Sequence, residues 1–238
     1  MTAKCIDISH WQGFPDFEKV HASGVIACIM KATEGTNYVD PNRAKNFVNA
    51  TKAGIACCTY HWLKPGGNAR EQMRYYLNKL DPVFGERVGI DYEEEGCTLD
   101  DLKEAVQALI DDPRSLKITV YSGHLLKGQL GSRRDAFLAD NTDLWLAQYT
   151  TGTPSWPVGT YPEWTLWQYS ETGTVPGITG AKVDLDRYNG DDESLLRWIK
   201  PDAVPKPAPG PEPEQSVSIT VTAPPGVPVF VNGVRVLP

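Results

Sequence analysis

Residues 87–122, RVGIDYEEEGCTLDDLKEAVQALIDDPRSLKITVYS, decide the fold class. The apolar runs at 87–93 and 117–122 are typical of β-strands, and residues 99–110 between them carry apolar side chains at helical spacing. Thr98 occupies the position of a helix N-cap. We therefore predict a β-α-β unit, the connection that joins two parallel strands.

The same alternation continues over residues 1–200. Helical patterns at 42–53 and 69–80 separate the early strands, whereas the spacers after Tyr121 have weaker helical patterns. Six further apolar runs are predicted strands, at residues 4–9, 25–32, 55–62, 143–149, 164–170 and 182–188. Strands joined by helices favour a parallel sheet, and eight of them favour a closed, irregular (β/α) barrel. An open doubly wound sheet is the alternative, but no glycine-rich phosphate loop follows an early strand.

Composition and charge exclude several classes of binding partner. The 238 residues carry 23 Lys and Arg against 30 Asp and Glu, a net charge of -7, which is the wrong sign for a protein that binds a phosphate backbone. No apolar run approaches the ~20 residues that span a bilayer, and the N-terminal residues lack the blocks of a secretory signal. We expect no nucleic-acid partner, no membrane insertion, and synthesis in the cytoplasm without a signal peptide.

Several common catalytic motifs are missing from the sequence. It contains no G-x-S-x-G nucleophile elbow and no H-E-x-x-H zinc motif. The five cysteines show no zinc spacing, and four of them lie in apolar runs, so we expect buried thiols rather than a metal site or a disulfide framework.

Acidic side chains close several of the predicted strands: Asp7, Glu34, Asp91 and Glu93 follow apolar runs, and Asp184 lies in the last run. Because the carboxyl ends of parallel barrel strands meet at one rim, these acids are expected to converge. Asp91 and Glu93 are two residues apart and project to the same face of a strand. Such proximity keeps one carboxyl protonated, which is the division between acid and ionised partner that glycoside hydrolysis requires.

Taken singly, each of these acids more often solvates a loop or caps a helix. Aromatic residues also cluster near the strand ends, where they could stack on sugars, although each alone is more often a core residue. They are Trp11, Tyr38, Tyr60, Trp62, Tyr149, Trp167 and Tyr169. His10 and His61 lie beside the predicted site, and a hydrogen-bonding role and a structural role both remain open for them.

Eight short motifs occur in order along the first 200 residues. They are D-x-S-H-W-Q-G at 7–13, K-A-T-E-G-T at 31–36, Y-V-D-P at 38–41, A-G-I at 53–55, Y-H at 60–61, D-x-E at 91–93, W-Q-Y-S at 167–170 and V-D-L-D at 183–186. Their order and spacing resemble the family 25 glycoside hydrolases over about residues 4–199. The resemblance implies a flattened, irregular β/α barrel. It also implies a lysozyme that cuts the β-1,4 bond from N-acetylmuramic acid to N-acetylglucosamine in peptidoglycan, with no metal or cofactor.

Carried over by position, the resemblance makes Glu93 the general acid and Asp91 its partner, either as nucleophile or as the group that orients the substrate's acetamido group. Asp7 and Asp184 match two further site carboxylates. The candidate substrate-binding residues are Trp11, Lys31, Glu34, Tyr60, Trp62, Tyr149, Trp167 and Gln168.

Two features depart from the family pattern. Glu93, Glu94 and Glu95 are consecutive, and period two places Glu95 on the same face as Glu93, so a shift of register is an alternative. Asp186 stands where the family often has asparagine, so a fifth acid either lies close to the site or points away from it.

A proline-rich segment, PDAVPKPAPGPEPEQ at residues 201–215, predicts a linker between a catalytic domain at 1–200 and a short β-rich tail at 216–238. In the tail, residues 217–221 alternate like a strand, and VFVNGVRV predicts a hairpin that turns at Asn232 and Gly233. So short a piece cannot bury its own core. It either forms a homo-oligomer or anchors the enzyme to the wall, or it is an inert extension.

Two rival functions from other classes remain open: a barrel that binds glycan without catalysis, and a related glycosidase that acts on chitin-like polymers. Without an export signal, a lysozyme meets the wall only after release by a membrane-permeabilising partner or by lysis. This setting suggests a phage endolysin.

Overall fold

The computed structural model describes residues 4–156, 159–200, 229–231 and 234–237. In the described part of the first compact unit, Met1–Val204, nine strands form one sheet. They are β1 (Cys5–Ile8), β2 (Ala27–Glu34), β3 (Tyr38–Val39), β4 (Ala56–Trp62), β5 (Arg87–Asp91), β6 (Lys117–Ser122), β7 (Thr142–Ala147), β8 (Leu166–Gly173) and β9 (Val183–Tyr188). The helices of this unit are α1 (Phe17–Ala22), α2 (Arg43–Lys52), α3 (Ala69–Leu80), α4 (Leu99–Ile110), α5 (His124–Leu130), α6 (Ala136–Asn141) and α7 (Asp192–Ile199).

Strand β1 pairs with β2 on one side and with β9 on the other, so eight strands close into a barrel. Its order is β1, β2, β4, β5, β6, β7, β8, β9, and the neighbours from β1 to β8 are parallel. The predicted irregular α/β barrel is confirmed. Each of the eight predicted strands overlaps one barrel strand, whereas the two-residue β3 beside β2 was not predicted.

Strand β9 runs antiparallel to both β8 and β1, which corrects the expectation of an all-parallel barrel. The physical reason is the short connection at residues 174–182, which contains no helix and leaves β9 as the return strand of a hairpin. The amino end of β9 therefore lies at the rim formed by the carboxyl ends of the other strands. This reversal keeps Asp184 at the rim and places Asp186 one pleat deeper.

Helix α4 shows how local sequence positions the rim. The Thr98 side chain accepts a hydrogen bond from the Asp101 amide at 3.2 Å, and the Asp101 carboxylate accepts one from the Thr98 amide at 2.9 Å. This capping box begins the helix at the predicted residue. The buried stripe Leu102, Val106 and Leu109 packs into a hydrophobic cluster with α3 and the outer faces of the neighbouring strands. The helix therefore holds the segment after β5, which carries the acidic run, against the barrel.

Helix α7 covers the amino ends of the parallel strands. Its residues Leu195, Trp198 and Ile199 join the cluster inside the barrel. Arg87, the first residue of β5, donates to the Trp198 carbonyl at 2.6 Å, and its guanidinium lies 4.1 Å from the Trp198 ring centroid. Asp143 accepts from both Arg87 at 2.7 Å and the Trp198 indole at 2.8 Å. These contacts fix α7 against the amino ends of the parallel strands.

The barrel interior is apolar apart from a few polar groups near the rim. All five cysteines are buried, as predicted for small apolar side chains. Among the described residues, no helix has the length and apolar character needed to cross a lipid bilayer.

In the second compact unit, Pro205–Pro238, strands β10 (Val229–Val231) and β11 (Val234–Leu237) pair antiparallel on either side of residues 232 and 233. The pairing agrees with the predicted hairpin. The predicted linker at 201–215 and the predicted strand at 217–221 lie outside the described residues.

Candidate active site

A cleft of about 260 Å³ opens at the rim of the barrel. Five carboxylic acids, five aromatic residues and one amide line it. They are Asp7, Asp91, Glu93, Glu171 and Asp184, then Tyr60, Trp62, Tyr121, Trp145 and Tyr149, and finally Gln168. Of the five acids expected to converge, four line this cleft, namely Asp7, Asp91, Glu93 and Asp184, whereas Glu34 does not.

Asp91 and Glu93 lie at the end of β5. Asp91 is 5% exposed, and its Oδ1 atom is buried with no hydrogen-bond partner among the described residues. Burial, and then the negative charge of Glu93, hold the pKa of Asp91 well above its usual range. Burial also raises the pKa of Glu93. Burial of two neighbouring carboxyls favours their protonated forms, so the pair can supply a proton donor in the cleft.

Lys31, from β2, supplies the positive charge beside this pair. Its ammonium donates to Glu34 Oε2 at 2.6 Å and lies 4.6 Å from the Trp62 ring centroid. Its charge lowers the pKa values of both Asp91 and Glu93, against the larger effect of burial. Lys31 therefore limits how tightly the pair holds its proton.

The other glutamates of the acidic run have different surroundings. Glu94 accepts from Lys64 Nζ at 2.8 Å and from Trp62 Nε1 at 3.0 Å, and these bonds lower its pKa. Glu95 is exposed to solvent. Of the three consecutive glutamates, Glu93 is the one that lines the cleft. Strand β5 ends at Asp91, so neither Glu93 nor Glu95 continues the period-two pattern that was expected for them.

On the opposite wall, Asp7 at the end of β1 is held by Gln168 of β8. The Gln168 amide Nε2 donates to Asp7 Oδ2 at 2.7 Å. Its carbonyl Oε1 accepts from the hydroxyls of Tyr121 and Tyr149, each at 2.8 Å. Because both tyrosines donate to the oxygen, the amide nitrogen must face Asp7.

Asp184 of β9 stands opposite Asp7 in the β1–β9 register. Burial raises the pKa of Asp184 to about 6, and burial together with the charges of Asp186 and Asp184 holds the pKa of Asp7 well above its usual range. Asp186 lies deeper, 1% exposed inside the barrel, where it accepts from the Trp145 indole at 2.7 Å. Of the two positions open for this fifth acid, the structure has the one close to the site.

The predicted substrate-binding residues fall into three groups. Tyr60, Trp62, Tyr149 and Gln168 line the cleft, and Lys31 and Glu34 lie behind Trp62. Trp11 lies outside the cleft wall, 76% exposed beside His10. Trp167 is 3% exposed and packs among residues outside the barrel, with its indole donating to the Gln148 carbonyl at 2.7 Å.

The two histidines near the site also differ. His61 is fully buried between Thr33 Oγ1 at 2.7 Å and Gln72 Oε1 at 3.2 Å. Burial lowers the pKa of His61 to about 4, so the ring is neutral and structural. His10 makes a 3.1 Å hydrogen bond with the Tyr38 hydroxyl.

Three residues that line the cleft are missing from the sequence prediction: Tyr121, Trp145 and Glu171. Tyr121 ends the predicted strand that follows the one carrying Asp91, so the rule that located the acids also indicates this tyrosine. Trp145 lies among the consecutive apolar residues 144–147, where no alternation of polar and apolar side chains marks it as an inward residue. A second hollow of about 450 Å³ shares Glu93 and Tyr149 with the cleft and runs on past His124. The two hollows adjoin at these shared residues and are together termed the groove.

Within the described ranges, no group of three or more His, Cys, Asp or Glu side chains has the arrangement of a metal site. The groups in the cleft that can act chemically are the carboxyls. They can donate a proton, accept one, or stabilise a positive charge.

Comparisons with known proteins agree with this geometry. The sequence model of the glycosyl hydrolases family 25 matches residues 6–178. Lysozyme M1 of Streptomyces globisporus is 30% identical over 210 residues, which cover 80% of this chain and 69% of that protein. The bacterial lysozyme from Streptomyces coelicolor superimposes with a TM-score of 0.73 at 27% identity, over 84% of this chain and 97% of its own. The CTP1L endolysin gives a TM-score of 0.68 at 25% identity, over 84% of this chain and 70% of its own.

Proposed function

Because the chain belongs to family 25 of the glycosyl hydrolases and is a lysozyme that hydrolyses peptidoglycan, we propose that it cleaves the β-1,4 bond between N-acetylmuramic acid and N-acetylglucosamine, with Glu93 as general acid. The observation that carries this assignment is the pair Asp91 and Glu93, two desolvated carboxyls with raised pKa values at the floor of a groove. A carboxyl that keeps its proton near neutral pH can deliver it to a leaving oxygen.

Glu93 is the member of the pair that reaches the substrate. It is half-buried and lines both hollows of the groove, whereas Asp91 is almost fully buried. Proton transfer from Glu93 to the glycosidic oxygen lets the sugar depart as a neutral alcohol. The charge on Glu93 that results lies near Lys31, which favours it.

Asp91 is the partner carboxylate. Once ionised, it balances the positive charge that develops at the anomeric carbon while the bond breaks. Asp7 and Asp184 hold the opposite wall of the groove, and the rings of Tyr60, Trp62 and Tyr149 offer faces on which sugars can stack.

The likeness to the CTP1L endolysin supports a biological setting. In that setting the enzyme acts as an endolysin that meets the bacterial wall after release from the cytoplasm. We further propose that residues 1–200 form the catalytic domain and that the tail at 216–238 either oligomerises or anchors the enzyme to the wall. The mass of the full chain in solution and its co-sedimentation with purified peptidoglycan distinguish these two roles.

The bond that is cut is identified by digesting purified peptidoglycan and reducing the new chain ends with borohydride before mass spectrometry. We expect muramitol ends from the wild type and none from Glu93→Gln, while the matched variant Glu95→Gln releases them like the wild type. Glucosaminitol ends would reassign the bond, and full activity of Glu93→Gln would reassign the acid. A wild-type protein that binds the wall but releases no fragments would point to a glycan-binding barrel.

A further inference from the structure

Asp186 is the most buried carboxyl among the acids near the groove, and neither the cleft lining nor the proposed chemistry uses it. Its Oδ1 accepts from the Trp145 indole at 2.7 Å, and its Oδ2 has no hydrogen-bond donor among the described residues. A buried charged oxygen without a donor is costly, because it loses its hydration without replacement. The arrangement therefore calls for a proton at Asp186 or at its neighbour.

That neighbour is Asp7. Asp186 is two residues from Asp184, which stands opposite Asp7, so Asp186 and Asp7 are diagonal partners on the inner face of the β1–β9 pair. On its other side Asp186 stands opposite Gln168, whose amide already binds Asp7. Both carboxyls therefore project into the barrel from neighbouring strands, beside the same Gln168 side chain.

We propose that Asp186 is a positioning residue, which shares a proton with Asp7 in a carboxyl–carboxylate hydrogen bond and so fixes the Asp7 side chain in the wall of the catalytic groove. Gln168 donates to one oxygen of Asp7, Asp186 engages the carboxyl from below, and Trp145 orients Asp186. This inference rests on the proposed function, because Asp7 matters for turnover only if the groove is the active site.

The other titratable groups that face this pair stay neutral over the working pH range. From β1 and β4 they are the thiols of Cys5 and Cys58, whose pKa values burial raises. From β4, β6 and the segment after β7 they are the hydroxyls of Tyr60, Tyr121 and Tyr149, whose pKa values burial also raises.

Asp184, on the same strand, is thus the one other carboxyl among these facing groups. Burial raises the pKa of Asp186 to about 8 and that of Asp184 to about 6. As the pH rises through these values the shared proton is lost, and the two neighbouring carboxylates of Asp7 and Asp186 repel each other. Asp7 then leaves its position, and turnover falls.

Substitution of Asp186 by asparagine separates positioning from charge. In Asp186→Asn the amide can still accept from Trp145 and donate to Asp7, but it cannot ionise. We expect its activity to stay within about 2-fold of the wild type near pH 6, and the ratio of its activity to that of the wild type to rise above pH 8. The ratio cancels the loss that ionisation of Glu93 causes in both proteins. A ratio that does not change with pH would overturn the proposal.

Asp186→Ala removes the partner of Asp7 and should lower kcat by about 10- to 100-fold, the value of one hydrogen bond to a charged group. The exposed Asp140→Asn serves as control and should change neither kcat nor the pH profile. An alanine variant that folds and keeps wild-type kcat would contradict the positioning role. If that variant does not fold, the asparagine variant still decides the question.

A spectroscopic readout requires no activity. In full-length protein labelled with ¹³C at the aspartate carboxyls, NMR should show a signal that titrates near pH 8 and disappears in Asp186→Asn. If the signal lost in that variant titrates in the ordinary range for aspartate, about 3.5, the shared proton does not exist. Because the NMR titration does not depend on turnover, it can disprove the shared proton while muramidase activity is present. It can equally confirm the shared proton while that activity is absent.

Discussion

Two groups of carboxyls face each other across one groove, and they differ in the neighbouring side chains that stabilise them. On the β5 side, Asp91 and Glu93 have the ammonium of Lys31 beside them. On the β1–β9 side, Asp7 and Asp186 are bound by the uncharged donors of Gln168 and Trp145. Both sides are desolvated, yet only the first has a cation that lets a carboxyl give up its proton and remain charged. In the proposed chemistry, proton transfer therefore belongs to the β5 side, while the β1–β9 side keeps its protons as part of the structure.

The largest test of this comparison exchanges one carboxyl on each side for its amide. Glu93→Gln should lower kcat by about 100- to 10,000-fold, because proton donation contributes that much. Asp7→Asn should lose less, since an amide at that position can still take part in the hydrogen bonds of the wall. Steady-state kinetics on peptidoglycan fragments, with circular dichroism to confirm folding, measure both losses. An equal or larger loss in Asp7→Asn would reverse the assignment of the two sides.

Much of this division is visible in the sequence, because strand ends are easier to predict than strand faces. The rule that acids at the carboxyl ends of parallel strands converge placed Asp7, Asp91 and Glu93 in one cleft. The capping residue Thr98 and the apolar stripe after it gave both ends of α4. These features depend on neighbours within a few residues along the chain, which a single sequence contains.

Features that depend on which way a strand faces or runs were harder to predict. Trp167 and Gln168 are adjacent in β8 and so cannot face the same side. Gln168 turns inward to Asp7, which turns Trp167 outward into the packing around the barrel. The direction of β9 depends on a connection too short for a helical crossover, and that reversal brings Asp186 against Asp7. Long-range pairing of this kind leaves no mark in the local pattern.

The second prediction concerns Lys31, the cation that distinguishes the two sides. Lys31→Met removes a charge that lowers the pKa values of both Asp91 and Glu93, in addition to the larger lowering that His124 exerts on Glu93, so both values should rise. The acid then stays protonated to higher pH and its partner ionises at higher pH, so both limbs of the pH–activity profile should move upward. Activity on the acid side should fall by about 10-fold for each unit of that rise.

Lys64→Met is the matched control, because Lys64 pairs with Glu94 at 2.8 Å and with Glu34 at 3.5 Å at the outer end of the same network. It should leave the limbs of the profile where they are. A profile for Lys31→Met that coincides with the wild type would mean that the lysine does not set the proton affinity of the pair.

The third prediction concerns stability, and its sign follows from the raised pKa values on the β1–β9 side. Asp184 and Asp186 bind protons more tightly in the folded state than at their ordinary value of 3.8. The stability they contribute is complete below that value and is lost as the pH rises through about 6 and about 8. The Tm of the wild type should therefore fall between pH 5 and pH 9, and that of Asp186→Asn should fall less. If calorimetry gives Tm values that change in parallel with pH in the wild type and in Asp186→Asn, Asp186 is already ionised when the protein folds.

The smallest expected effect lies at the edge of the β5 side, where Trp62 connects the groove to the outer ion pairs. Trp62→Phe keeps an aromatic face for the sugar and for Lys31 but removes the indole that donates to Glu94 at 3.0 Å. One hydrogen bond in a half-exposed position is worth about 1 kcal/mol, so KM should rise about 5-fold while kcat stays near that of the wild type. Trp11→Phe is the comparison variant, because Trp11 lies outside the cleft and should leave both constants unchanged. If Trp62→Phe lowers kcat instead of raising KM, the Trp62 ring acts on the proton of Glu93 through Lys31. The β5 side then includes Trp62 as well as the residues that contact Asp91 and Glu93.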